Sequence, residues 1–246
     1  VVGDPTKVKL AYIGDGNNVT HSLMHFAARL GADMVVCCPR GHSVDGQVVV
    51  EAQQLNAESG GSLVVTSDLA ALEGVDAIYL SGYAPLAPLS REGVLEMVRT
   101  INTCSIPIIF DPATVGGMKD VPVEVILSWC ALMDTVIMNE EEAIYLSGLS
   151  DLESALNFFI ELTPRAIIKR GSAGAIGLER GGQIISVAAK TSKVVDTTGA
   201  GDAFAAGFID AFTDRRDFYY AIERASAVAG HCVAIVGARG RVGTQI

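Results

Sequence analysis

The stretch KVVDTTGAGDAFAAGFIDAF (193–212) decides how the chain is read. An extended segment ends at Asp196, and Phe204, Phe208 and Phe212 then recur at the spacing of one face of an α-helix. The run DTTGAGD (196–202) therefore sits at a helix N-terminus. Gly199 and Gly201 let the backbone turn tightly, so that consecutive N–H groups point toward an anion, and the helix dipole adds partial positive charge there. Asp202 is the odd member of that setting. A carboxylate beside an anion-binding turn is repelled by a bound phosphate, yet it is well placed to take a proton from a hydroxyl attacking that phosphate. A plainer role stays open on the same residues: Asp202 caps the helix, which aspartate does well.

Outward from this turn, short β-branched apolar runs recur: VKLAYIG (8–14), DMVVCC (33–38), AIYLSG (77–82), PIIFD (107–111), TVIMN (135–139) and AIIKR (166–170). Their continuity, in place of alternation, predicts strands covered on both faces. Helical patterns lie between them, with Leu23, Ala27 and Leu30 on one face, then Val94, Val98 and Ile101, then Leu152, Leu156 and Phe159. That order predicts a parallel sheet with crossover helices. Between 175 and 189 two apolar runs flank RGG (180–182), which reads as an antiparallel hairpin at a sheet edge. Two helices, about 200–213 and 217–234, close the pattern. The fold class expected is α/β: one doubly wound domain over 1–246, its mostly parallel sheet flanked by helices and edged by an antiparallel hairpin.

Composition narrows the classes of function. The net charge of −10, from 28 acidic against 18 basic residues, is unsuited to wrapping a polyanion, so no nucleic-acid partner is expected. Cys37, Cys38, Cys104, Cys130 and Cys232 form no CxxC pair and show no ligand spacing with histidine, which predicts buried free thiols in a reducing compartment. His21, His25, His42 and His231 are scattered and read as surface or packing residues; Trp129 and the methionines read as core. No apolar run approaches the ~20 residues that span a bilayer, and VVGDPTKVK (1–9) lacks a signal-peptide core. A soluble, cytoplasmic protein without membrane partners is expected.

DTTGAGDAFAAGF (196–208) resembles the second signature of the ribokinase-like carbohydrate kinases, the phosphofructokinase-B type. The resemblance implies Asp202 as the general base that deprotonates an acceptor hydroxyl. It makes the amides of Gly199, Ala200 and Gly201 the anion hole, and assigns a monovalent cation to carbonyls near Asp196 and Thr197. MNEEEAIYLSG (138–148) resembles the N-x-x-E segment of that family, giving Asn139 and Glu142, which would organise Mg²⁺ and the nucleotide phosphates largely through water. On the residues alone, a solvated acidic helix start serves equally well. IIKRGSAGAIGLERGG (167–182) matches the strand, turn and hairpin that lie beside the nucleotide in such kinases, with Lys169, Gly171 and Gly174 as neighbours; an ordinary hairpin with turn glycines is the alternative. IIFDPA (108–113) also fits, as does AIERASAVAGHCVAIVGARG (221–240), the latter as the helix and turn flanking adenine. Residues 73–240 thus imply ATP and Mg²⁺ as cofactors and a small-molecule acceptor.

The front of the chain carries another resemblance. VKLAYIGDGNNVTHSLMHFAARLGADMVVCCPRG (8–41) is similar to the ornithine-binding half of ornithine carbamoyltransferases, a similarity that runs over about 6–66. It implicates Asn18 and Asn17 in holding an amino acid. The carbamoyl-phosphate domain of that family, with its S-T-R-T-type motif, is missing, which argues against carbamoyl transfer. The small β-sheet lid of the kinases is also expected to be absent, because VVVEAQQLNAESGG (48–61) reads as helix and turn, followed by one strand, SLVVTS (62–67). A hybrid is expected, 1–72 carbamoyltransferase-like and 73–246 kinase-like, joined near 66–76, with VVGD (1–4) a remnant of the kinase's first strand. Loss of the lid weakens orientation and desolvation of an acceptor. Two outcomes follow, an ATP-dependent phosphotransferase of sugar-kinase type, or an inactive hybrid that keeps nucleotide or ornithine binding. A lidless sheet edge would also favour a homo-oligomer.

Overall fold

The computed structural model describes residues 9–104, 106–190 and 194–234. Its contacts gather the chain into two compact units, Asp4–Asp134 and Thr135–Ile246. The first contains β1 (Lys9–Ile13), α1 (Asn18–Leu30), β2 (Asp33–Cys37), α2 (Gly46–Ser59), β3 (Ser62–Thr66), β4 (Ala77–Ser81), α3 (Tyr83–Leu86), α4 (Arg91–Ile101), β5 (Ile108–Asp111), α5 (Val115–Met118) and α6 (Val123–Cys130). The strands stand in the order β3-β2-β1-β4-β5, every pairing parallel, with Ala11 opposite both Val35 and Ile78. All five residues of β4 are buried, as continuous apolar strands require when helices cover both faces. Of the helical faces expected here, Val94, Val98 and Ile101 of α4 are buried, whereas α1 buries Thr20, Met24, Ala27 and Ala28 while Leu23 is half-buried. Residues 48–66 form a helix and a single strand, and among the described residues this unit holds no antiparallel lid sheet. β3 is the last strand on its side, with Val64 exposed.

The second unit contains β6 (Thr135–Asn139), α7 (Glu140–Ser147), α8 (Leu152–Leu162), β7 (Arg165–Lys169), β8 (Ala175–Glu179), β9 (Ile185–Val187), α9 (Ala200–Arg215) and α10 (Phe218–Val233). The order is β6-β7-β8-β9, parallel between β6 and β7 and antiparallel at the two pairings that follow. The expected edge hairpin is therefore present. Gly174, at φ 86, lies against the backbone of β9, where any side chain would collide with the Val187 carbonyl. Phe204, Phe208 and Phe212 form the buried stripe of α9, with Phe208 stacked on Phe212 at 5.3 Å and edge-on to Phe218 at 6.1 Å. Gly207 lets α10 come close, since a methyl group there would stand 2.9 Å from Val228 Cγ2 and 3.0 Å from Ala225 Cα. These contacts fix the two helices on each other, and through them the turn at 196–202.

The five cysteines are unpaired, but they are not all buried. Cys37, Cys38 and Cys130 are, and burial pushes their thiols up to about 11, 12 and 12. Cys104 is exposed and Cys232 half-buried, because the first follows the end of α4 and the second lies in the last turn of α10. Among the described residues, no helix is long and apolar enough to cross a membrane.

Two measurements check this packing. Phe208→Ala should cost about 3–5 kcal/mol in urea unfolding, the cost typical of emptying a buried aromatic site. Ellman's reagent should modify Cys104 first in the native protein and Cys232 more slowly, with Cys37, Cys38 and Cys130 reacting only after denaturant is added.

Candidate functional site

Helix α9 opens at Ala200, and Gly199, at φ 78, is its N-cap residue. Asp202 is thus the third residue of the helix and not its cap, and it is exposed to solvent. A glycine cap has no side chain with which to accept the first amides. The turn is instead held by other bonds. Asp196 Oδ1 accepts from Thr198 N–H at 2.9 Å, and the Thr197 carbonyl accepts from Ala200 N–H at 3.2 Å. The first intrahelical acceptor is Gly199, whose carbonyl takes Ala203 N–H at 2.9 Å. Of the three amides expected to form an anion hole, those of Gly199 and Gly201 therefore have no acceptor among the described residues, while that of Ala200 is turned back into the turn.

A cation stands at the same place. Lys169 ends β7, and a methyl group placed on Gly201 would lie 3.4 Å from Lys169 Nζ. The fold thus brings an ammonium group, two amides without acceptors among the described residues, a helix N-terminus and the Asp202 carboxylate together within one unit. The positive groups suit a phosphoryl oxygen; Asp202 suits a hydroxyl proton.

Asn139 and Glu142 also meet. Asn139 is the N-cap of α7, its Oδ1 accepting from Glu142 N–H at 2.9 Å. Glu142 returns both oxygens, Oε2 to the Asn139 amide at 2.8 Å and Oε1 to Asn139 Nδ2 at 2.6 Å. This is a reciprocal capping box, and Glu142 is only 2% exposed, so it is not part of a solvated acidic face; Glu140 and Glu141 are. Among the described residues no three His, Cys, Asp or Glu side chains gather as a metal cage. That donor set suits Mg²⁺ carried on nucleotide phosphates and met through water, the usual habit of that ion.

Other expected residues have local work to do. Gly171, at φ 53, and Gly174 turn the chain between β7 and β8, where Arg170 N–H donates to the Gly174 carbonyl at 2.7 Å. In the first unit, Asn17 caps α1: its Oδ1 accepts from Val19 N–H at 2.9 Å and Thr20 N–H at 3.3 Å, and its Nδ2 donates to Asp15 Oδ1 at 3.1 Å. Asn18 opens α1, and its side chain lies outside the described residues. So do 235–240 of the segment expected to flank adenine, and VVGD (1–4). After β5, Asp111 Oδ1 accepts from Ala113 N–H at 2.9 Å, and Ala113 is held at φ 79, a strained value for a residue with a side chain.

The sequence pointed to the end of α10 as a neighbour of adenine, but not as a support of the glycine turn. The Val233 carbonyl accepts from Val195 N–H at 2.8 Å and Asp196 N–H at 3.2 Å, and Cys232 Sγ donates to the Thr198 carbonyl at 3.7 Å. No local motif signals these contacts, because they arise only when α9 and α10 pack.

Comparison with known proteins is decisive at this point. The model of the pfkB family carbohydrate kinases matches residues 44–242. The chain belongs to that family. Its fold is shared with a protein of E. coli described as a candidate ribokinase II, solved with ATP and Mg²⁺, at a TM-score of 0.75 and 19% identity over 94% of each chain. It is shared as well with aminoimidazole riboside kinase of Salmonella enterica, solved with aminoimidazole riboside and an ATP analogue, at 0.71 and 20%, again over 94% of each. Curated relatives match a short segment: ornithine carbamoyltransferase of Shewanella oneidensis is 64% identical over 72 residues, 29% of this chain and 24% of that protein. The chain spans about a quarter of the length of the curated relatives it matches. The pfkB match takes in 73–240 and extends forward to 44, into the carbamoyltransferase-like segment, so the two resemblances overlap at α2 and β3.

The capping box of this pfkB-family chain makes a direct prediction. Asn139→Ala should destabilise by about 2 kcal/mol, because the cap is lost and the buried Glu142 carboxylate loses its amide donor. Asn17→Ala, which removes a cap beside a more accessible carboxylate, should cost about 1 kcal/mol. Urea unfolding of the two variants checks the difference.

Proposed function

We propose that this pfkB-family chain is an ATP-dependent phosphotransferase of the sugar-kinase type, with Asp202 as its general base. The observation that carries the proposal is the placement of Lys169 Nζ against Gly201, in a turn whose Gly199 and Gly201 amides have no acceptor among the described residues. ATP would supply its terminal phosphoryl group, the bond to ADP breaking as the bond to the acceptor oxygen forms, and Mg²⁺ would neutralise charge on the phosphates.

The residues of the chain divide the remaining work. The amides of Gly199 and Gly201, with Lys169, hold the oxygens of the transferring group, where negative charge concentrates. Asp202, one turn into α9 and exposed, accepts the proton of the acceptor hydroxyl as its oxygen attacks. Lys169 also offsets the repulsion between Asp202 and the phosphoryl oxygens, which a glycine turn alone would not. Asn139, oriented by Glu142, presents the Mg²⁺-nucleotide side through water. Carbonyls near Asp196 and Thr197 are the candidate cradle of a monovalent cation, although the Thr197 oxygen already accepts one amide. The acceptor is a small molecule carrying a hydroxyl. Five unpaired thiols suit a reducing, cytoplasmic setting.

One observation favours a second reading. Strands β1–β3 are parallel and their segment is carbamoyltransferase-like, where a kinase lid would shield the acceptor. A hybrid that binds nucleotide without turning over would then result.

A coupled assay over a panel of sugars separates the two. The proposal expects turnover on at least one sugar, and a loss of about 10³-fold in kcat for Asp202→Asn with KM for ATP little changed. Calorimetric binding of Mg²⁺-ATP without turnover on any sugar supports the hybrid reading, and equal activity of Asp202→Asn contradicts the assignment of the base.

A further inference from the structure

Side chains and distant carbonyls hold several peptide planes in and before the DTTGAGD turn. The planes at Val195 and Asp196 are tied to the Val233 carbonyl, and the plane between Thr197 and Thr198 is tied at both ends, to Ala200 N–H and to Asp196 Oδ1. Among the described residues the plane between Thr198 and Gly199 has one tether, a side chain from another helix: Cys232 Sγ, 3.7 Å from the Thr198 carbonyl.

That plane matters most for an anion. In a trans peptide the carbonyl of one residue and the N–H of the next point in opposite directions, so the direction of the Thr198 oxygen sets that of the Gly199 N–H. Gly199 is also the residue at which a flip is least costly, since glycine occupies positive and negative φ with similar ease. Freed from its tether, the plane can rotate and withdraw the amide from the anion.

We propose that Cys232 is a positioning residue of the phosphoryl-transfer site, its S–H fixing the Thr198–Gly199 peptide so that the Gly199 amide faces the transferring group. The thiol is suited to remain a donor. Burial first, and then the carboxylates of Asp196 and Asp202, hold it above the ordinary thiol range, so it stays protonated at neutral pH. Cys232 touches no reacting atom in this scheme; it acts through Gly199. The inference rests on the phosphate cradle proposed above.

The test compares full-length wild type, Cys232→Ala and Cys232→Ser by calorimetry, with Mg²⁺-ADP alone and with Mg²⁺-ADP plus aluminium fluoride, a mimic of the phosphoryl group in transfer. Wild type should bind the fluoride complex more tightly than ADP alone. Cys232→Ala should lose about twofold for the fluoride complex, the factor carried by one hydrogen bond at the weak end of the net range, as suits a thiol donor, while ADP affinity stays the same. Cys232→Ser, which keeps a donor on a shorter bond, should recover part of that loss. Equal binding of the fluoride complex by Cys232→Ala and wild type overturns the inference. So does equal weakening of both ligands without rescue by serine, which would mark Cys232 as packing only. If wild type binds ADP with and without fluoride equally, the cradle itself is absent, and the proposed function fails with the inference.

Discussion

The carbonyl of Val233 accepts two consecutive amides, those of Val195 and Asp196, and the geometry of the candidate site depends on that contact. A glycine turn has no preferred shape of its own, because glycine gives up restraint in return for access to positive φ. Restraint has to come from elsewhere. Here it comes from the last turn of a helix more than thirty residues away in sequence, together with the Asp196 side chain. With the entry to the turn fixed, α9 begins at a defined residue, and the amides of its first turn are held in place rather than frayed.

That contact depends in turn on the packing of α9 against α10. Phe208 is buried between Phe212 and Phe218, and Gly207 removes the side chain that would hold the helices apart. The apolar stripe and the glycine turn are thus parts of one packed device. Lys169 arrives from the end of β7, so the turn that carries Asp202 has an ammonium group close to Gly201.

The strands were legible in the sequence because strands covered on both faces leave an uninterrupted apolar record; all six expected runs became strands of the sheet. The hairpin and the last two helices were legible for similar local reasons; Asn139 and Glu142 stood out as residues, but the capping box that joins them was not expected. What could not be read were the contacts made by packing. Nothing near Ala200 announces that its amide turns back to Thr197, nor does anything near Cys232 mark it as a partner of the turn rather than a buried thiol. Asn17 shows another limit: an asparagine before a helix can hold a ligand or cap the helix, and here its oxygen accepts two amides of α1. The carbamoyltransferase-like strand β1 pairs in parallel with β4 as it does with β2, so the segment joins the sheet as an ordinary parallel strand-helix-strand unit, which carries fold without carrying function.

The most direct measurement is an amide NMR titration of the ¹⁵N-labelled chain with Mg²⁺-ATP. If the turn is a phosphate cradle, the resonances of Gly199 and Gly201 should move the most among the glycines, with Asn139 responding beside them and Asn17 unaffected. Movement confined to residues distant from 196–202, or no movement of Gly199 and Gly201 at saturating nucleotide, would contradict the account.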